Sequence, residues 1–447
     1  MFKLANRFRW AFCQLEVLRN CLPSSIRYIL NELPESLDET YERVLREIMK
    51  PNRDHARRLL QCLVVALRPL RVEELAEVLA VDFDDASGIP KLKPSWRWED
   101  QEQALLTSCS SLIVIVGTGP SRVVQFSHFS VKEFLTSARL TTSSQDVSRY
   151  HIDFGPSHAV LAQACLSILL QLGHLNKDSI EERSPLAAYA ARCWVRHAQF
   201  EDVASRIKGM EDLFDPDKPY FAAWRKFHDM DTIPSPFSAF YLSTGLFLNS
   251  KSDTSTLYYA ALCGFTNLVE HLIVKHPEDV NATGGYYMTP AVAALAGRHF
   301  QSAQVLHRAG SSVDPRGSNM ISPLHSAAYF GNTEMVRVLL DYGIDVNTRD
   351  DKSWTPLFYA LDGYSNDRAI VVRLLLDRGA DPNMWTATGT NPLFDASRYG
   401  RVEMARLLIE HGASVETRDS DGETALEIAT KMRHDEIVKL LIEHGAS

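Results

Sequence analysis

The stretch Ser322-Pro323-Leu324-His325-Ser326-Ala327-Ala328 decides the fold, because it recurs. Its opening triplet lines up with Ser255-Thr256-Leu257, Thr289-Pro290-Ala291, Thr355-Pro356-Leu357, Asn391-Pro392-Leu393 and Thr424-Ala425-Leu426. In chain order the six triplets stand 34, 33, 33, 36 and 33 residues apart. Small residues follow each one, among them Ala260-Ala261, Ala293-Ala294, Ala360, Ala396 and Ala429. An apolar run such as Met335-Val336-Arg337-Val338-Leu339-Leu340 comes next, and Gly310, Gly343, Gly379, Gly412 and Gly445 close five of the units. Ser, Thr or Asn at the head is a favoured N-cap, since its side-chain oxygen accepts from a free backbone N–H of the first turn. Pro at the next position has no N–H to leave unsatisfied and a helix-ready φ. The alanines let two helices approach closely, and the closing glycine supplies the left-handed conformation that ends the second helix. One such pair cannot bury its apolar face alone, so the spacing predicts a stacked solenoid of six units over 252–447.

The whole chain has 447 residues, 45% hydrophobic and 23% charged. That is too long for a single core and suits several globular domains. The net charge of −9 is uneven: from residue 251 onward 18 Lys and Arg face 25 Asp and Glu, whereas residues 1–250 hold 29 against 31. An acidic repeat half lacks the cations that displace counterions from phosphate backbones, so protein partners with basic and apolar groups are expected, not nucleic acid. Seven cysteines are scattered without a C-x-x-C pair, which signals neither a disulfide framework nor zinc and fits a reducing, cytoplasmic setting. The longest uninterrupted apolar runs, such as Leu63–Leu67 and Leu112–Val116, fall far short of the ~20 residues that span a bilayer, and no membrane partner is expected. Near the N-terminus Lys3, Arg7, Arg9 and Arg19 mix with Phe2, Leu4, Phe8, Trp10 and Phe12. A transit peptide or a membrane-surface helix could carry that mixture; the expectation is a helix meant for burial.

Residues 1–50 read as helices broken at Leu22-Pro23. Ser36 stands three residues before Glu39, as in a capping box that starts an amphipathic helix. From 56 to 142 the plan changes. Helices are expected over about Ala56–Ala66, Val72–Val81 and, after a Pro-broken loop, Trp98–Leu112. Two β-rich runs follow, Ile113–Val116 and Val123–Phe129, joined by Gly117-Thr118-Gly119-Pro120 as a hairpin turn, and a last helix starts near Ser130. Three helices and a hairpin make a winged-helix order.

The repeat pattern resembles the ankyrin repeat, whose consensus includes T-P-L-H-x-A-A. Departures are Arg298 and Arg433 where a glycine is usual, a first unit without the Pro, and extra residues around Asp362–Asp367. Phe8-Arg9-Trp10-Ala11-Phe12-Cys13-Gln14-Leu15, Leu33–Leu45 and Phe126-Ser127-His128-Phe129-Ser130-Val131-Lys132-Glu133-Phe134-Leu135 together resemble fungal NACHT–ankyrin proteins, NLR-like signalling ATPases with ankyrin tails. The 56–142 segment resembles the winged helix that follows the NACHT module there and in GPI inositol-deacylase-like proteins. Residues 156–245, with Leu186-Ala187-Ala188-Tyr189-Ala190-Ala191 and Phe214-Asp215-Pro216-Asp217-Lys218-Pro219, look like the helical bridge to the repeats. The resemblance implies a mostly α chain: the tail of a NACHT module over 1–50, a winged helix, a bridge and the ankyrin solenoid.

For function, the resemblance implies a ligand-sensing or scaffold role without catalysis. A P-loop needs Gly-Lys-Ser/Thr, and none of the 22 glycines is followed by lysine. The NTPase residues would lie upstream in the family, so no nucleotide hydrolysis is expected. His128 would, by resemblance, be a latch on bound nucleotide; a strand-end histidine with local hydrogen bonds is the expectation instead. G-x-S-x-G, H-E-x-x-H and G-x-G-x-x-G are absent. Asp419-Ser420-Asp421-Gly422 looks like part of a calcium loop, but Thr417 and Ile428 stand where acids are needed, so neither metal nor cofactor is expected. Two other readings stay open. One is a regulatory fragment that acts with a full-length NACHT relative. The other is DNA or RNA binding by the winged helix, although Trp96–Leu112 carries Arg97 against Glu99, Asp100 and Glu102. Apolar Phe8, Trp10, Phe12 and Leu15 predict self-association through 1–50.

The protein-binding face is expected on the inner helices, four, seven and eight residues after each N-cap. These positions are Tyr259, Leu262 and Cys263; Ala293 and Ala296; Ser326, Tyr329 and Phe330; Tyr359 and Asp362; Asp395, Arg398 and Tyr399; Ile428, Lys431 and Met432. Tyr286, Tyr287, Trp354 and Trp385 of the inter-repeat turns would extend it along one edge. Tyr, Trp and Arg are the residue types enriched at interface hot spots.

Overall fold

The computed structural model of the protein describes residues 36–173, 184–228, 254–285, 287–314, 321–363 and 368–446. The expectations for residues 1–35, with Phe8, Trp10, Phe12 and Leu15, lie outside these, as do those for Tyr286, for 174–183 and 229–245 of the bridge and for most of the extra residues in the fourth repeat. The chain divides into two compact units, residues 1–230 and 231–447.

In the first unit α1 (Leu37–Glu47) starts at Ser36, whose side chain accepts from Glu39 N–H. Then come α2 (Arg53–Val65), β1 (Leu70–Arg71) and α3 (Val72–Glu77), which tightens into a 3₁₀ turn at Val78–Ala80. A short hairpin, β2 (Val81–Asp82) with β3 (Lys91–Leu92), precedes α4 (Gln101–Cys109), β4 (Ile113–Val116), β5 (Val123–Phe126) and α5 (Phe129–Leu135). β5 is the central strand of an antiparallel sheet in the order β1-β5-β4, with Leu70 opposite Val124 and Ile113 opposite Phe126. Three helices and the β4–β5 hairpin match the expected order. The third strand and the β2–β3 hairpin are additions: two-residue strands are too short to show a period of two. Leu59, Leu60 and Cys62 of α2, Leu75 of α3, Leu105 of α4, Val124 of β5 and Val131 of α5 are buried in the core.

The 19-residue helix α6 (Phe154–Leu172) is the one helix among the described residues that is long and apolar enough to cross a membrane, which the short apolar runs did not announce. It is 67% buried: α2 and α7 (Ala187–Ala198) pack on it. A buried helix that is apolar on most sides is ordinary in a protein core. Trp194 of α7 and Trp224 of α8 (Tyr220–Phe227) close this layer edge to face at 5.3 Å, and Trp224 Nε1 donates to the Ala191 carbonyl at 2.9 Å.

The second unit is the expected solenoid. Its six helix pairs are α9 (Thr256–Cys263) with α10 (Thr266–Lys275), α11 (Pro290–Ala296) with α12 (Phe300–Arg308), α13 (Pro323–Tyr329) with α14 (Thr333–Asp341), α15 (Pro356–Asp362) with α16 (Arg368–Asp377), α17 (Pro392–Arg398) with α18 (Val402–Glu410), and α19 (Ala425–Lys431) with α20 (Asp435–Glu443). First helices pack on first helices, as in α13 on α15, and second on second, as in α16 on α18. The cap side chains act as expected: Ser255, Thr289, Thr355, Asn391 and Thr424 each accept from the N–H three residues on, and Ser322 forms a capping box with His325. Between the two helices of five units the chain passes through a left-handed residue. It is Gly264, Gly331 and Gly400 in three repeats, but Arg298 (φ 62°) and Arg433 (φ 61°) in the second and sixth. A Cβ makes that conformation strained, so the two departures from the consensus are strained positions as well.

Candidate protein-binding face

Each inner helix starts from its N-cap with a turn packed against its neighbours. The residue four past the cap therefore faces the adjacent inner helix, at the spacing that the alanines make short. The expectation of solvent exposure fails there: Tyr259, Ala293, Tyr359 and Ile428 are buried, as are Cys263 and Tyr329 further along. The tyrosines form an internal ladder. Tyr359 lies edge to face with Tyr329 at 6.3 Å and with His325 at 5.0 Å, and Tyr258 with Tyr259 at 5.3 Å. Large aromatics between repeats bury area that small residues could not. Phe330 is half-buried and packs on Tyr329 at 5.2 Å.

Tyr359 also closes a polar network. Its Oη donates to Asp350 Oδ2 at 2.9 Å, while Asp350 Oδ1 accepts from Lys352 N–H and Trp354 N–H at 2.9 and 2.7 Å. Burial and the Asp350 carboxylate hold the Tyr359 phenol well above its ordinary pKa, so it stays a donor. His325 Nδ1 accepts from Ser322 N–H at 3.1 Å, which leaves its proton on Nε2 to reach the Trp354 carbonyl at 3.0 Å. Trp354 and Trp385, expected along an exposed edge, are half-buried: Trp354 packs on Phe358 at 4.8 Å and Trp385 on Phe394 at 5.5 Å. Asp419 does the same for its turn as Asp350, accepting from Asp421 and Glu423 N–H. A readable signal was present: Asp350, Thr386 and Asp419 each stand five residues before an N-cap.

What remains exposed of the expected face lies in the last three repeats: Asp362, Arg398, Tyr399, Lys431 and Met432. Tyr399 is 61% exposed, the most of any aromatic there. Arg401, which the sequence reading passed over, holds it in place. Its guanidinium lies 5.0 Å from the Tyr399 ring centroid and pairs with Asp395 at 2.6 Å. Asp395 is thus a half-buried support rather than an open contact, and burial raises its pKa against the pull of Arg401. Arg398 reaches Asp419 of the next turn only at 4.0 Å. The arrangement can present one planar aromatic and one guanidinium with little ordering cost, which is the make-up of a protein contact site.

In the first unit His128 is the N-cap of α5. Its Nδ1 accepts from Ser130 N–H at 3.3 Å and lies 2.6 Å from Ser130 Oγ, which in turn sits 2.8 Å from Tyr41 Oη of α1. That geometry ties the strand end to α1 and spends the ring nitrogen locally. The third helix, α4, carries Glu102 and no Lys or Arg, and Glu102 pairs with Arg122. No group of three or more His, Cys, Asp or Glu side chains suited to a metal occurs among the described residues.

Comparison with known proteins bears on the kinds of domain present. The family model described as ankyrin repeats (3 copies) matches residues 291–384 and 364–447, and that of the GPI inositol-deacylase winged helix domain matches 42–145. The chain therefore carries ankyrin repeats and a winged helix of the GPI inositol-deacylase kind. Azaphilone pigments biosynthesis cluster protein L of Monascus ruber, a fungal relative, is 31% identical over 64% of this chain and 61% of its own length. An ankyrin repeat and KH domain-containing protein of Caenorhabditis briggsae is 30% identical over 34% of this chain and 6% of its own. The chain thus spans less than two thirds of either relative. A solved ankyrin repeat domain from Acinetobacter baumannii is 26% identical and covers 43% of this chain and 98% of that one, at a TM-score of 0.36.

Proposed function

We propose that this chain is a non-catalytic interaction module, the ligand-sensing or scaffold part of an NLR-like signalling protein of the cytoplasm, and that it holds a protein ligand on the inner face of its last three repeats. The observation that carries the reading is Tyr399, largely exposed yet held by Arg401, which is itself fixed to Asp395. A side chain that is both exposed and preorganised loses little freedom on binding. Arg398 beside it in the chain, and Lys431 and Met432 at the end of the next inner helix, are exposed as well and offer charge and a pliable apolar surface. In this reading no nucleotide is hydrolysed and no cofactor is held, in keeping with the missing Gly-Lys-Ser/Thr and with the local engagement of His128. The winged helix serves as a structural unit, since its third helix has no cation to meet a phosphate.

The test is affinity capture with the full chain, repeated with Tyr399→Ala and Arg398→Ala. Partners held by the parent should be lost or weakened about tenfold or more, as for a hot-spot truncation. Melting temperature should stay unchanged, because exposed side chains contribute little stability. Partners that bind both variants as well as the parent would refute the reading.

A further inference from the structure

The β2–β3 hairpin leads into a short segment, Lys91-Leu92-Lys93-Pro94-Ser95-Trp96-Arg97-Trp98-Glu99-Asp100, that the function above leaves unused. It is firmly tied down. Leu92 pairs with Val81 across the hairpin, and Lys93 N–H donates to the Ala80 carbonyl at 2.8 Å. Trp96 N–H closes a 3₁₀ turn on the Lys93 carbonyl at 2.9 Å. Arg97 has extended backbone and turns inward, where its guanidinium donates to the buried Glu77 carboxylate of α3. With Arg97 anchored inward, its neighbours Trp96 and Trp98 stand outward, 48% and 55% exposed. Tryptophan is seldom left in water, and two of them beside one anchored residue form a surface that calls for a partner.

The charges around the indoles say which partner. Every cation of the segment is already engaged: Lys91 with Asp85 at 3.2 Å, Lys93 with Asp85 at 3.0 Å, and Arg97 with Glu77. The next two residues, Glu99 and Asp100, are exposed and have no ion-pair partner among the described residues. Asp100 spends one oxygen on capping α4, accepting from Gln103 N–H at 2.9 Å. The segment thus displays two half-exposed indoles and two carboxylates, with no free cation. Ring faces attract ammonium and guanidinium groups, and carboxylates pair with them. Trp96 and Trp98 flank one extended residue, so their backbone positions are about 6 Å apart, close to the spacing of alternate positions along an extended peptide, about 6.6 Å.

We propose that Trp96, Trp98, Glu99 and Asp100 form a docking site for an extended basic segment of another protein, with Lys or Arg at alternate positions seated on the two indoles. The site is independent of the ankyrin face, so either can fail without the other. The same carboxylates disfavour an anionic membrane surface, which the indoles alone would not.

The experiment titrates the full chain into a fluorescein-labelled peptide of alternating Lys and Ser and follows anisotropy. Trp96→Ala with Trp98→Ala keeps the net charge and should weaken binding about tenfold, the effect of two exposed cation–π contacts. Glu99→Gln with Asp100→Asn keeps both indoles and should weaken it about threefold and flatten its salt dependence. Glu436→Gln, an exposed acid of the repeats, should change nothing. Three results overturn the proposal. One is unchanged binding in the double tryptophan variant. Another is an equal loss in Glu436→Gln, which would mean attraction to net charge alone. The third is sedimentation showing that the parent self-associates through the two tryptophans and the variant does not, which would make the occupant a second copy of this chain.

Discussion

His158 of α6 and His197 of α7 meet Nδ1 to Nδ1 at 2.7 Å inside the first unit. The direction of the proton between them follows from the far end of the chain of bonds. Leu67 N–H donates to Tyr189 Oη at 3.1 Å, so the phenol gives its own proton to His197 Nε2 at 2.8 Å. His197 then carries its proton on Nδ1 and donates to His158. An added proton has no place without reversing these bonds, and burial, reinforced by His158, pushes the His197 pKa down to about 4; burial lowers that of His158 as well.

Acid should therefore weaken the first unit ahead of general carboxylate titration. The unfolded His197 binds a proton near pH 6.5 and the folded one near 4. The stabilisation is complete above about pH 6.5, falls by about 1.4 kcal/mol per pH unit as pH drops, and is gone below about 4. Thermal melts between pH 7.5 and 5 measure it. His197→Gln, which cannot titrate, should be less stable at pH 7.5 yet lose less between the two pH values; an identical slope would rule the histidine pair out as the cause.

Arg433 is exposed, left-handed and makes no ion pair among the described residues. Arg433→Gly should stabilise the repeats by about 1 kcal/mol, since a left-handed L-residue costs about 1–2 kcal/mol and the added chain freedom of glycine returns part of that. Denaturant unfolding reads the difference. Arg298→Gly should gain less, because Arg298 also pairs with Glu334 at 2.5 Å.

Tyr359→Phe keeps the ring of the inter-repeat ladder and removes one hydrogen bond, which leaves the buried Asp350 Oδ2 without its donor. The expected cost is about 1–3 kcal/mol. Ligand capture by the variant should be normal below its melting temperature. A loss of binding without a loss of stability would show that Tyr359 acts at the surface after all.

His128→Ala should cost about 1 kcal/mol as a lost helix cap and loosen the Ser130–Tyr41 link. Calorimetry with ATP should give no saturable binding for either protein. Binding in the parent that disappears in the variant would instead make His128 a nucleotide ligand.

Much of this protein was legible along its chain because its signals are local. An N-cap side chain, a Pro without an N–H and a glycine with positive φ each act within one turn of backbone, so Ser322, Thr355 and Asn391 marked helix starts that tertiary packing had no need to move. The β4–β5 hairpin was readable for the same reason. β1 was not, because two residues carry no period and Leu70 becomes a strand only by pairing with Val124, far along the chain. Which aromatics face water was settled only in three dimensions. Tyr359, between Phe358 and Ala360, lies four residues past its N-cap, and Tyr399, between Arg398 and Gly400, lies eight past its own, at the end of α17. Burial of one and exposure of the other depends on how closely the next inner helix approaches, and on Asp350 and Arg401, which fold back from outside those helices to receive them.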